Sequence, residues 1–379
     1  MATVDPLPAI QIASHRGLAG LTELLPAWRE LDARAAVQPL SAELFLALAR
    51  ARGHHNGLAL SASQGSRLLA VWPLQVQRLG PLRLARRLGG AIQTFDGLTF
   101  DPQIGPQGRA GIVRDMLGAL REQRLADLLH LRFLPDAPEL REIPELALAV
   151  RPAGESPWLD TSALGEREAV LARLSKERRK STRRGLRALA AMGTVTFREE
   201  QDLARRRGLV ERALELKRAW LREAEAISLP LTAPWLPRSL LTLCTDPTLR
   251  ETVRVFELAV SGKTAAIELG WQSGRDYHSY LGAFDARFAK GGPGAALTLE
   301  VLAWCGANGV QRAHLLPPAT DFKLGWTDNR EPLWTTTLPL TGRGRLFQPV
   351  VRDGKDLAKR RLADARELWS RARASEPIA

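Results

Sequence analysis

The chain has 379 residues, a formal net charge of +13 and a pI of about 10.6, with 45% hydrophobic and 25% charged residues. That balance excludes a disordered polymer, and no apolar run approaches the ~18 residues that a membrane-spanning helix needs. Length on this scale favours two domains, while Cys244 and Cys305 offer neither metal-ligand spacing nor a disulfide framework.

A soluble protein in a reducing, cytoplasmic setting is expected, and the N-terminus lacks the apolar core of a signal peptide. In chain order, Leu18–Ala35 predicts a helix burying Leu21, Leu24, Leu25, Trp28 and Leu31, with a short helical segment at Glu43–Arg50. Gly57–Ser61 and Arg67–Gln77 read as paired strands around Ser63-Gln-Gly65, and turns at Asp96-Gly97 and Asp101-Pro102 flank a short strand. Arg109–Gln123 reads as a helix and Leu128–Phe133 as a strand. Five prolines within residues 135–160 mark a crossing between domains.

Beyond it, a long helix is expected from Glu166 to Met192 with Gly193 as its stop, then a strand at Thr194–Glu199 and a helix at Asp202–Glu225. Leu229–Pro237 reads as a proline-broken loop and Ser239–Cys244 as a helical turn. Residues 251–326 are the organising block. Strands at Thr252–Val260, Thr264–Trp271 and Tyr277–Phe284 are joined by Ser261-Gly262-Lys263 and by the turn Gln272–Asp276. Ala289-Lys-Gly-Gly-Pro-Gly294 then opens a helix through Leu297, Val301 and Cys305, stopped at Asn308-Gly309 before a strand at Val310–Leu316. Pro332–Leu340 closes the sheet, and Lys355–Ala374 reads as a charged helix.

Three groups of residues point to chemistry. A glycine loop entering a helix aims backbone N–H groups, with the positive helix end behind them, at one spot that suits phosphate. The alternative is a plain strand-to-helix turn. In the middle hairpin, pairing Trp271 with Tyr277 sets Glu268 opposite Tyr280 and Gly270 opposite His278. Glu268, His278 and Tyr280 then share a face able to deprotonate an amine; a one-residue slip dissolves this cluster. Residues 171–191 hold eight Lys/Arg against the single acid Glu177. Lys180, Arg183 and Arg184 lie in that run, which is either a solvated face or a site for phosphates of CoA, a nucleotide-sugar, a lipid headgroup or tRNA. No zinc, haem or flavin signature is present, so no metal is expected, and no Ser/His/Asp or Cys/His set supports a hydrolase.

The order hairpin, hairpin, glycine loop, helix, strand resembles the GNAT acyltransferases. Ala283-Phe-Asp-Ala-Arg-Phe288, Gly292-Pro-Gly294, Asp321-Phe-Lys323 with Trp326, and the basic segment Lys176–Arg187 are similar to their CelD/BioF2-like branch, related to the FemAB aminoacyl-tRNA-dependent transferases. The resemblance covers roughly residues 158–340. It implies an α/β (α+β) fold of tandem GNAT-like domains, each a mixed, mostly antiparallel twisted sheet flanked by helices. Residues 1–157 would be a degenerate copy, and 158–379 the acyltransferase domain with its C-terminal helix. It further implies acetyl-CoA or another acyl-CoA as co-substrate, with its pyrophosphate on Gly291, Gly292, Gly294, Ala295 and Ala296. Two loop registers stay open, one ending on Gly292–Gly294 and the other using Gly294 with Ala296. Backbone N–H groups near Tyr280–Gly282 would hold the thioester carbonyl. The acceptor would be the amine or hydroxyl of a small molecule, phosphorylated or a sugar in an envelope precursor, held by Lys180, Arg183, Arg184, Asp285 and Lys323. Phe322 stands where the branch usually has a proton-donating tyrosine. A tRNA-dependent transferase is the second enzyme reading, less favoured because the basic stretch is narrow, and a non-catalytic binding module is the third.

Overall fold

The computed structural model describes residues 9–35, 41–52, 56–90, 92, 95–135, 140, 142–224, 231 and 233–354. Strand β1 (Ile10–Arg16) runs into α1 (Gly17–Arg34), which buries Leu21, Leu24, Trp28 and Leu31 along one side. Ser41 caps α2 (Ala42–Ala51) by accepting from the Leu44 N–H. Three antiparallel strands follow, β2 (Gly57–Gln64), β3 (Arg67–Leu79) and β4 (Leu82–Arg86), with the two-residue β5 (Thr99–Phe100) beside β3. Helix α3 (Pro106–Glu122) crosses over, so that β6 (Leu128–Leu134) lies parallel to β4. A short α4 (Pro144–Ala149) leads into β7 (Val150–Asp160).

The stretch expected to be a mere crossing therefore contributes an eleven-residue strand to the middle of the sheet. Pro152 is tolerated because it sits at an irregular point, where the register against β13 (Asn329–Pro339) shifts. The long helix expected from Glu166 is two helices, α5 (Arg167–Arg173) and α6 (Lys176–Met192). Leu174 is extended, Ser175 caps α6 through the Arg178 N–H, and the Arg179 guanidinium donates to the Ala172 and Leu174 carbonyls at the end of α5. A polar run long enough for one helix thus breaks where a serine offers a new cap.

The second half continues with β8 (Val195–Glu199), α7 (Leu203–Glu223), α8 (Trp235–Thr245), β9 (Val253–Val260), β10 (Lys263–Ser273) and β11 (Asp276–Phe284). After a 3₁₀ turn at Ala286–Gly291 come α9 (Pro293–Ala307), β12 (Arg312–His314), α10 (Asp321–Leu324) and β13 (Asn329–Pro339). Part of the Leu229–Pro237 loop and all of the Lys355–Ala374 helix lie outside the described residues.

Both halves share one order of elements: strand, two helices, three antiparallel strands, crossover helix, parallel strand, closing strand. Their closing strands are exchanged. β7 pairs with β12 of the second half, β13 pairs with β6 of the first, and β7 and β13 pair with each other. The sheet order among the described residues is β1-β2-β3-β4-β6-β13-β7-β12-β11-β10-β9-β8. The largest apolar core also spans the halves, joining Trp28 and Phe45 to Val255, Ile267 and Leu281. No helix among the described residues is long and apolar enough to cross a membrane.

Candidate acyl-transfer site

β11 and β12 are paired at only three positions, Asp276–Arg312, Tyr277–Ala313 and His278–His314. From Ser279 onward the strands part, and a cavity of about 500 Å³ opens there, walled by β10, β11, the start of α9, α7 and the Phe322–Lys323 segment. That volume falls in the ~300–1,000 Å³ range of small-molecule sites. Its surroundings are aromatic: Trp220, Phe284 and Phe322 are among the few large apolar side chains left exposed.

Gly292 sits at φ +58°, a left-handed turn that lets the 3₁₀ segment end and α9 begin within one residue. Pro293 has no N–H, and the Ala296 N–H already donates to Gly292 O at 3.1 Å. The donors left at the helix start are therefore Gly294 and Ala295, both lining the cavity. A Cβ at Gly294 would stand 3.7 Å from Phe284, over the cradle these N–H groups form. Such a cradle fits a diphosphate. Gly291 has another role: a Cβ there would strike Leu189 at 2.4 Å, so its glycine serves close packing against α6.

The hairpin register differs from the expected one. Trp271 faces His278 and Glu268 faces Gly282, because the strands extend to Ser273 and Asp276 and leave a two-residue turn, Gly274-Arg275. A bulge at Leu269/Gly270 then leaves Tyr280 without an opposite residue. Glu268 and Tyr280 both line the cavity, but His278 does not. His278 points through the other face and stacks on His314, ring centroids 5.0 Å apart, where burial pushes its pKa down to about 3. The expected three-residue cluster is thus a pair. The Tyr280 ring packs against Trp271 at 4.5 Å, and burial raises its pKa.

Glu268 is 5% exposed, and burial raises its pKa above the ordinary carboxylate range. It accepts from Tyr277 Oη at 2.8 Å and from Ser279. Gly270 makes this possible, since a Cβ there would lie 2.3 Å from Tyr277 Oη. Tyr277, Ser279 and Gly270 escaped sequence reasoning because their roles depend on the bulged register. Lys217 of α7 and Trp220 also line the cavity, Nζ lying 4.5 Å from the indole.

Lys323 lines the same cavity, donates to Leu316 O at 2.7 Å, and has its pKa lowered to about 8 by burial and by Lys217, with Glu268 opposing. Asp285 is elsewhere. It caps the 3₁₀ turn through the Arg287 N–H and is bonded by Arg212 and Arg287, which hold its pKa at about 2. Nothing in that arrangement faces a substrate. The basic helix packs beside the glycine loop on its small residues: a Cβ at Gly185 would lie 2.6 Å from Gly291 O. Lys180, Arg183 and Arg184 are exposed, Arg183 pairing with Glu168 at 2.5 Å, while Arg178 bonds the Asp321 and Phe322 carbonyls.

A sequence family described as the acetyltransferase (GNAT) domain matches residues 176–324. FemX superposes with a TM-score of 0.57 at 9% identity, over 78% of this chain and 90% of FemX. The C-terminal DUF2156 domain of a protein assigned as a lysylphosphatidylglycerol synthetase from Agrobacterium fabrum gives 0.52 at 13% identity, over 89% and 97%. A conserved protein of unknown function from Bacteroides thetaiotaomicron gives 0.52 at 10%, over 87% and 100%. At these identities the likeness shows the fold. Among curated proteins, no sequence matches the chain. The matched segment runs from the basic helix through the bulged hairpin and glycine loop to the Phe322–Lys323 segment, so it is the part of the chain holding the cavity that is similar to the acetyltransferase (GNAT) domain.

Proposed function

We propose that the chain moves an acetyl or other acyl group from acyl-CoA to the amine or hydroxyl of a small acceptor, in the manner of the CelD/BioF2-like branch. The observation that carries this is one cavity holding a buried carboxyl, a lysine of lowered pKa and the open N–H groups of a helix start. Gly294 and Ala295 would bind the pyrophosphate, and the unpaired edge of β11 past Ser279 would take the pantetheine arm and the thioester carbonyl. Glu268 would remove the proton of the acceptor, directly or through water, as its nitrogen or oxygen forms the new acyl bond. Lys323 would give a proton to the departing CoA sulfur, the part for which Phe322 has no group. Residues 1–157 and 158–379 would be the two repeats, only the second loaded with donor.

A calorimetric titration with acetyl-CoA tests the reading; a folded chain that gives no binding heat rejects it. The pH profile tests the roles. Burial raises the Glu268 pKa, so the base is gained as pH rises through that raised value. Lys323 titrates near 8, so the acid is lost as pH climbs past it. A bell is expected, and Lys323→Met should remove its alkaline limb and lower kcat ~10-fold, thiolate being a good leaving group. Persistence of that limb in the variant would remove Lys323 from the role.

The exposed charge of α6 keeps a second reading in view, a FemAB-like aminoacyl-tRNA-dependent transfer. Changing Lys180, Arg183 and Arg184 together to alanine is expected to weaken CoA binding a few-fold and flatten its salt dependence, because α6 lies against the glycine loop. Salt-sensitive tRNA binding by the parent, with a log K–log salt slope that shallows by roughly 0.7–0.9 per lost contact, would favour the tRNA reading instead.

A further inference from the structure

The wall of the cavity that carries Lys323 is short and has few anchors of its own. α10 has only the four residues Asp321–Leu324, none of them buried, and no side chain among the described residues caps its start. The Gly325 N–H donates back to Asp321 O at 3.0 Å, but the Trp326 N–H goes to Lys323 O at 2.9 Å and skips Phe322 O. The end of so short a helix leaves carbonyls that need donors from outside it. Arg178 of α6 supplies them. Its guanidinium donates to Asp321 O at 3.1 Å and to Phe322 O at 3.3 Å. It also lies 5.6 Å from the centre of the Phe322 ring and 5.9 Å from that of Trp326.

Gly325 lets the guanidinium in. Its φ of −73° lies in the ordinary helical region, so its backbone conformation does not call for glycine. A Cβ there would instead stand 2.0 Å from Nη2 of Arg178 and 2.5 Å from its Cζ. Gly325 and Arg178 are thus two halves of one fit. The backbone of Arg178 is held as well, because its N–H donates to the capping Ser175 Oγ at 3.2 Å. Two turns along the same helix, Gly185 packs on Gly291 beside the glycine loop. α6 therefore braces both the helix-start cradle and the segment bearing Lys323.

We propose that Arg178 is a positioning residue, which clamps α10 so that the Lys323 ammonium stays inside the cavity at a fixed place relative to the donor cradle. This rests on reading the cavity as the acyl-CoA site with Lys323 as its acid. The titratable groups lining that cavity with Lys323 are Lys217 of α7, Glu268 of β10 and Tyr280 of β11. Once the clamp is lost, the ammonium regains water and moves away from Lys217. Both changes favour its charged form, so its pKa rises from about 8 toward the ordinary lysine value. Moving away from Glu268 acts the other way and is the smaller effect.

Two substitutions remove the contact from opposite sides. Arg178→Met takes away the donors, and Gly325→Ala puts a methyl group where the guanidinium lies. The full chain, carrying isotope-labelled lysine, is titrated by NMR, with Lys323→Met identifying the signal. In both variants Lys323 is expected to titrate at least about one pH unit higher than in the parent. With acetyl-CoA and a reactive amine, kcat should fall ~10-fold at nearly constant KM, and the alkaline limb should move up with the titration. The double variant should be no worse than either single one, because the same contact is lost in each. An unchanged Lys323 titration in both variants, or additive losses in the double variant, overturns the proposal. A shifted titration with an unshifted rate limb supports the clamp and rejects Lys323 as the acid. If the parent binds no acetyl-CoA, the donor reading fails, and the NMR titration still decides the clamp. Should one variant fail to fold by circular dichroism, the other carries the same test.

Discussion

Glu268→Gln is expected to lower kcat by roughly 10²–10⁴ while leaving the fold and acyl-CoA affinity near those of the parent. The amide keeps an oxygen to accept from Tyr277, which bonds Glu268 at 2.8 Å, so the local hydrogen bonding survives and only the base is lost. The acidic limb of the rate profile should disappear with it, since that limb reports the raised pKa of a carboxyl withdrawn from water. Steady-state kinetics with acetyl-CoA and a reactive amine would measure both. A variant with parental kcat, or one keeping the acidic limb, would take Glu268 out of the chemistry.

Gly294→Val is expected to cost roughly 100-fold or more in CoA affinity. Two N–H groups, on Gly294 and Ala295, remain open at the start of α9. Hydrogen bonds to a charged partner contribute ~1.5–3 kcal/mol each, so losing access to both is worth about 3 kcal/mol. A Cβ at Gly294 would meet only Phe284, at 3.7 Å, so the branched side chain has room to fold and covers the cradle without breaking the helix. Calorimetry on the parent and the variant, with melting curves to verify folding, decides it. Undiminished CoA binding would move the pyrophosphate elsewhere.

Gly292-Pro293-Gly294 was legible as a helix entry because glycine and proline restrict the backbone locally, whatever surrounds them. Alternation likewise marked β9, β10 and β11 to within two residues at their ends. Register was not legible. One shorter turn and one bulge moved Glu268 from Tyr280 to Gly282 and sent His278 through the sheet to His314, because a strand's side-chain period of two turns each slip into a change of face. Ser175 could be seen as a polar residue in a helical run, yet only packing decided that it would end one helix and cap another.

The sequence by itself determined most element types, the glycine-proline helix entry and the concentration of charge on α6, since each arises from residues close together in the chain. The tertiary structure decided the rest. Exchange of β7 and β13 joined the halves into one sheet, the splay after His278 opened the cavity, and the bulge at Leu269/Gly270 set Glu268 against Tyr277. Each is a property of the folded chain's long-range contacts rather than of any local stretch.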